Sequence, residues 1–289
     1  MTAARLAPLL FVGLWSTGFI VARLVAPHAD PLTFVAGRFA LSALAFAALA
    51  LAARARWPLG LRGWRDALVA GVLMQGCYIG GVFWAVRHGL PAGITALVTG
   101  LQPLLTALLA FPLLGERVGR RRWAGIALGF AGALLVLEPQ LRAGAAPGGA
   151  PILPLLACGA GTVGITLGTI WQKRTASTAD LRTNAAAQFI GGALVVAPVA
   201  ALTESGRFDG SWQAWAGLAW AVLGLSLGAI SLLLLLIRRG AVAGVASLFY
   251  LVPPVVAVLA FALFGERLSA LQVAGMAVAA SGVAAASRA

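Results

Sequence analysis

The chain has 289 residues, 61% hydrophobic and 10% charged, and its 21 Lys and Arg against 8 Asp and Glu give a formal net charge of +13. The apolar residues gather in blocks near the bilayer-spanning length of about 20 residues, more apolar surface than a water-soluble fold of this size could hide. The basic residues are scattered over short loops between those blocks, so the charge points to membrane topology and away from nucleic acid as a partner.

Such blocks must be helices, because lipid cannot satisfy backbone N–H and C=O groups and the runs lack the alternation of a membrane barrel. In chain order the predicted spans are Leu6–Ala26, Leu32–Ala53, Ala67–Val86, Gly93–Leu114 and Arg121–Glu138, then Ile152–Trp171, Leu181–Leu202, Trp212–Ile237, Ala241–Phe264 and Leu268–Ser287. No small-residue cleavage site followed by a polar region succeeds the first run, which reads as a retained helix. Pro139 to Ala150 reads as a flexible linker. The expectation is an all-α membrane protein of ten transmembrane helices, with residues 1–138 and 151–289 as two halves of five. The 36 glycines suit close helix packing.

Loop charge sets the orientation. With a cytoplasmic N-terminus, that side holds Arg5, Arg54, Arg56, Arg62, Arg65, Arg117, Arg120, Arg121, Arg122, Lys173, Arg174, Arg182, Arg238, Arg239 and Arg288. The other side holds only Arg23, Arg87, Arg142, Arg207 and Arg267. Both termini are therefore expected in the cytoplasm.

A shift of 150 residues lays Ala96–Arg117 over Ala246–Arg267, matching Pro103 with Pro253, Ala110-Phe111 with Ala260-Phe261, and Gly115-Glu116-Arg117 with Gly265-Glu266-Arg267. The same shift superposes Asp30, Thr33 and Phe39 on Asp180, Thr183 and Phe189, and Gly125 and Gly132 on Gly275 and Gly282. Copies with an odd number of spans must be inverted relative to one another in the bilayer, and inverted halves can exchange conformations to open either face in turn.

With Leu14-Trp15-Ser16-Thr17-Gly18-Phe19 in the first span, Pro31-Leu32-Thr33-Phe34 and Arg38 in the second, and the paired Pro-to-Gly-Glu-Arg segments, the whole chain resembles the drug/metabolite transporter superfamily, in its ten-helix EamA-type branch. The resemblance implies a carrier of the bacterial inner membrane, often an exporter of amino acids, related metabolites or toxic small molecules, with a central cavity between EamA-like halves and no bound cofactor. It leaves the substrate open.

Candidate site residues follow from polarity inside spans. Thr95, Thr99, Gln102 and Thr106 share one face of the fourth span, as Thr162, Thr166 and Thr169 do in the sixth, and either set could line a cavity or serve as interhelical glue. Trp15, Ser16 and Thr17 fall mid-span, as do Gln75 and Tyr78; with Tyr250 they supply the aromatic walls and polar anchors of a small-molecule site. Arg38 lies about 9 Å in from Leu32 at 1.5 Å per residue, where it could snorkel outward, anchor a carboxylate, or pair with Glu266 as a gate. Glu116 and Glu266 end their helices as helix-end or gating carboxylates, and Pro103, Pro253 and Pro254 should break theirs as hinges.

No Asp or Glu lies mid-span, which argues against strongly cationic cargo. Cys77 and Cys158 have no metal-ligand spacing and read as packing residues, and His28 and His88 stand near loops with no acid cluster, so no metal, cofactor or enzymatic site is expected. The expected partners are a small-molecule substrate and the lipid bilayer; proton coupling and the choice of monomer or homodimer stay open. Beside export of a small neutral or zwitterionic metabolite such as an amino acid stand two alternatives, a lipid or lipid-linked-sugar flippase and a non-transporting membrane scaffold.

Overall fold

The computed structural model describes residues 2–58, 60–90, 95, 98–144, 151–175, 180–239, 242–265 and 269–287. In chain order the helices are α1 (Thr2–Val25), α2 (Pro31–Ala52), α3 (Gly60–Arg87), α4 (Gln102–Leu114), α5 (Arg120–Gly144), α6 (Ile152–Thr175), α7 (Leu181–Thr203), α8 (Trp212–Arg239), α9 and α10 (Ala270–Ser287). Helix α9 comprises Val242–Ser247, a 3-10 turn at Leu248–Leu251 and Val252–Phe264. Helix α5 runs on into the stretch read as a linker, as far as Gly144. Among the described residues the only extended pairing is one antiparallel bridge, Ala29 with Phe208.

Local chemistry explains many of the boundaries. Asp30 precedes α2, whose first residue is Pro31, a residue suited to the first turn because its missing N–H would have no helical partner there. Asp180 precedes α7 and accepts a hydrogen bond from the Arg182 backbone N–H. Helix α4 ends at Gly115 with φ 72°, whose N–H returns to Phe111 O at 2.8 Å, and α9 ends in the same way at Gly265 with φ 67°. The glycine of each repeated Gly-Glu-Arg is therefore a left-handed helix cap, and glycine is required because a Cβ opposes that conformation. Both prolines of the repeat restart a helix. Gly100 and Leu101 form a turn just before α4, with Pro103 in its first turn, while Pro253 and Pro254 follow the 3-10 turn of α9.

Among the described residues six helices are long and apolar enough to cross a bilayer: α2, α3, α6, α7, α8 and the Gly244–Leu263 stretch of α9. Their outward faces are apolar, with Leu44 66% exposed and Leu194 64% exposed, which is surface made for lipid.

Packing obeys an exchange rule. Pairing each helix with the one five places later, α2 packs on α7 and α5 on α10, each with its own mate. The α3·α6 contact is likewise matched by α8·α1, and α4·α6 by α9·α1. Mates run antiparallel where they touch. Gly125 faces Gly282 and Ala286 while Gly132 faces Gly275 and Ala279, and on α2 and α7 the Thr33–Glu204 and Arg56–Thr183 contacts join opposite ends. At α5·α10 the backbones touch, because a Cβ added to Gly125 would stand 2.5 Å from Ala286 N and one added to Gly132 would strike the Ala279 backbone.

Two helices depart from α geometry at equivalent places. Val72–Gly80 of α3 and Ala221–Ile230 of α8 are π-helical, and the 150-residue shift carries the first onto 222–230. Such segments are rare and concentrate at functional sites.

Candidate functional site

The two π-helical segments hold the polar centre. Arg38 reaches inward from α2 and donates from Nε to Ser226 Oγ at 3.1 Å, and Ser226 in turn donates to Ala221 O, five residues back along the π segment, at 3.0 Å. The guanidinium thus runs towards the middle of α8 and not out along α2 to the membrane face. Arg38 is 7% exposed and forms no ion pair among the described residues. Ser42, one turn further along α2, is fully buried with its hydroxyl unpartnered among the described residues.

Gln75 occupies the other π segment. It is fully buried, and neither its Oε1 nor its Nε2 has a partner among the described residues. Its Cβ and the Phe39 ring both lie against Gly192 of α7, which has no side chain to keep them apart. A buried primary amide with no partner costs about 1–3 kcal/mol and marks a place for water or a ligand.

The remaining candidates each make contacts of their own. Thr17 Oγ1 accepts from Trp220 Nε1 at 2.8 Å, tying α1 to α8, and Ser16 is buried with its hydroxyl on Val12 O. Trp15 packs edge-on to Phe249 and beside Phe11, in an aromatic cluster between α1 and α9. The half-buried Tyr78 has its backbone against Gly161 of α6. Thr99 donates to Thr95 O at 3.0 Å, Thr106 to Gln102 O at 2.8 Å and Thr166 to Thr162 O at 2.8 Å, so each of these hydroxyls spends its proton on a carbonyl one turn back. Gln102 gives its amide N–H to Thr106 at 3.4 Å, and its buried Oε1 has no partner among the described residues. Tyr250 is buried against Gly129 and Phe130, its hydroxyl unpartnered among the described residues. Glu116 follows the α4 cap and is half-buried. Glu266 lies outside the described residues.

Sequence reasoning missed three groups. Ser226 was legible only as a lone polar residue in a strongly apolar run. The second group is a buried amide cluster in which Gln172 Oε1 accepts from Gln188 Nε2 and from Asn184 Nδ2 at 3.3 Å. The third closes the end of the bundle near Asp30. Glu204 accepts from Leu32 N at 2.9 Å, Thr33 N at 2.7 Å and Thr33 Oγ1 at 2.9 Å, so the carboxylate at the end of α7 caps the start of α2. Beside it, Asp30 Oδ2 accepts from Ser205 Oγ at 2.8 Å and Arg207 N at 3.1 Å, and Arg87 stands 3.7 Å from Oδ1. Burial alone would raise the Asp30 pKa, but these hydrogen bonds and the Arg87 charge prevail and hold it below the usual carboxylate value. Asp209 is held down to about 2 by the Ser211 backbone N–H and by His28 at 2.7 Å. No signal inside any one segment foretells the contacts of Glu204 with Leu32 and Thr33 or of Asp30 with Ser205 and Arg207, since each joins residues 171–177 positions apart.

Residues 4–138 and 153–288 each match the EamA-like transporter family. The chain belongs to that family. A probable amino-acid metabolite efflux pump of Salmonella typhimurium is 34% identical over 134 residues, which is 46% of this chain and 42% of that protein; the chain thus spans less than half the length of this relative. An inner membrane transporter of Escherichia coli, YedA, itself uncharacterized, is 27% identical over 262 residues, covering 90% of this chain and 82% of its own. One solved crystal structure superposes with a TM-score of 0.81 over 99% of this chain and 98% of that one at 23% identity, a likeness of fold. The protein is a multi-pass membrane protein with two EamA-like segments.

Proposed function

We propose that this EamA transporter is a secondary carrier of the bacterial inner membrane that exports a small neutral or zwitterionic metabolite, such as an amino acid, by alternating access. All ten helices α1 to α10 span the bilayer on this reading, residues 1–138 and 151–289 are inverted halves, and both termini are cytoplasmic. The observation that carries it is the packing rule. Exchanging the halves maps the principal helix contacts onto one another, and the mates α2·α7 and α5·α10 run antiparallel, an arrangement suited to two nearly equivalent states. The name of the Salmonella relative supports the direction and the cargo class.

The binding centre is Arg38 with Gln75, flanked by Trp15, Ser16, Thr17 and Tyr78, with Thr99, Gln102, Thr166 and Tyr250 on the surrounding helices. A buried guanidinium whose hydrogen bond goes to a neutral hydroxyl calls for an anion, and the carboxylate of a zwitterion supplies it in bidentate form. The restarts at Pro103 and at Pro253 and Pro254 act as hinges, and Glu116 and Glu266 as gating carboxylates at equivalent positions of the two halves.

Counterflow in proteoliposomes across a metabolite panel tests the proposal. The expected result is accelerated exchange of at least one carboxylate-bearing solute, reduced at least tenfold in Arg38→Gln with the fold retained. Folded protein that accelerates exchange of no solute overturns it.

A further inference from the structure

The first turns of α3 combine apolar, aromatic and cationic surface in a way that transport does not use. A groove of about 490 Å³ runs along this helix, lined by Leu61, Leu68, Val69 and Val72, by Trp64, and by Arg62 and Arg65. Leu61 is 91% exposed, which leaves a large apolar side chain standing out next to an exposed arginine. The Trp57 and Trp64 rings stack at 5.8 Å and 7°, forming a rigid indole wall of the kind that settles at headgroup level.

Depth and charge identify the occupant. Helix α3 has 28 residues, about 42 Å at 1.5 Å per residue, against a hydrocarbon core of about 30 Å, so its ends must emerge into the headgroup region. The Gly60 end carries the charge. Asp66, the acidic residue of this helix, is engaged by Arg65 Nε at 2.9 Å and Nη2 at 2.7 Å. Arg62 forms no ion pair among the described residues, and Arg54 and Arg56 lie just before it in the chain. A free cation at headgroup level thus stands over an apolar groove that descends towards the acyl chains. A second copy of the chain is disfavoured as the occupant, since a two-fold interface centred here would set Arg62 and Arg65 close to their own equivalents.

We infer that this groove is a binding site for one anionic phospholipid, its acyl chain along Leu61, Leu68 and Val72 and its phosphate on Arg62. On the proposed topology the site faces the cytoplasmic leaflet, where anionic headgroups attract juxtamembrane arginines.

Native mass spectrometry of the full chain, released from detergent with equimolar phosphatidylglycerol and phosphatidylcholine of identical acyl chains, tests the assignment. Wild type is expected to retain phosphatidylglycerol at least fivefold over phosphatidylcholine at one-to-one stoichiometry. Arg62→Ala and, separately, Leu61→Glu should each abolish that preference while leaving the circular dichroism and melting temperature unchanged; both side chains are exposed, so neither change threatens the fold. Equal retention of the two lipids by wild type overturns the site, as does a preference that survives both substitutions. A dimer that Leu61→Glu dissociates, with no lipid preference in wild type, assigns the face to a second copy and also overturns it.

Discussion

The contacts α5·α10 and α2·α7 both join repeat mates across the same pseudo-symmetry, yet they are built from opposite materials. Between α5 and α10 lie Gly125, Gly129 and Gly132 against Gly275, Ala279 and Gly282, backbone on backbone, with no polar side chain of the candidate centre between them. Between α2 and α7 lie Phe39, Phe46 and Phe189, the last two stacked at 5.8 Å, and Arg38 and Gln75 stand beside this aromatic seam. Its ends are tied differently: Glu204 and the Asp30 network clasp one, whereas at the other Thr183 donates to Arg56 O and Asp180 serves its own helix. The first contact leaves no freedom to its backbones. The second is made of side chains that can rearrange.

The strongest way to break the contrast is Gly132→Leu. Its side chain would enter the Ala279 backbone, and two helices would have to part; a loss of about 3 kcal/mol or more is expected, seen as a collapse of folded yield in detergent size-exclusion chromatography. The matching change on the other seam, Glu204→Ala, removes one end cap only. A loss of about 1 kcal/mol and a lowered melting temperature are expected, with the protein still folded, and an unaltered melt would deny the clasp its role. The smallest effect belongs to the exposed His28–Asp209 pair. Because the folded pKa of Asp209, about 2, lies below its ordinary 3.8, its contribution is complete above about pH 4 and fades as pH falls towards 2. The melting temperature of wild type should exceed that of Asp209→Asn slightly at pH 6, and the gap should close between pH 4 and 2.

Much of the α2·α7 and α5·α10 architecture was legible in the chain, because hydrophobic blocks report helices and a 150-residue self-match reports mates. Gly125 and Gly132 could be paired with Gly275 and Gly282 as equivalents, but not seen as touching, since equivalence and adjacency are different properties. The site was legible in part. Arg38 and Gln75 stood out as polar groups in apolar runs, while Ser226, in AVLGLSLGAI, is a small residue that polarity alone does not flag. Glu204 was hidden because its carboxylate serves a helix start some 170 positions earlier in the chain. The stripe of Thr95, Thr99 and Thr106 read as cavity lining or glue because a helical projection cannot show a hydroxyl that also folds back on the carbonyl one turn before it.

The wide turns at Val72–Gly80 and Ala221–Ile230 change what a helical wheel means in this protein. A wheel drawn at 3.6 residues per turn from Gly60 falls out of phase on entering the first of them, and every direction it assigns from there to Arg87 is rotated. The face that α3 shows at one membrane surface is therefore not the continuation of the face it shows at the other, and α8 repeats the offset in the second half. Each of these helices is two half-helices, joined out of step at the depth of Gln75 and Ser226.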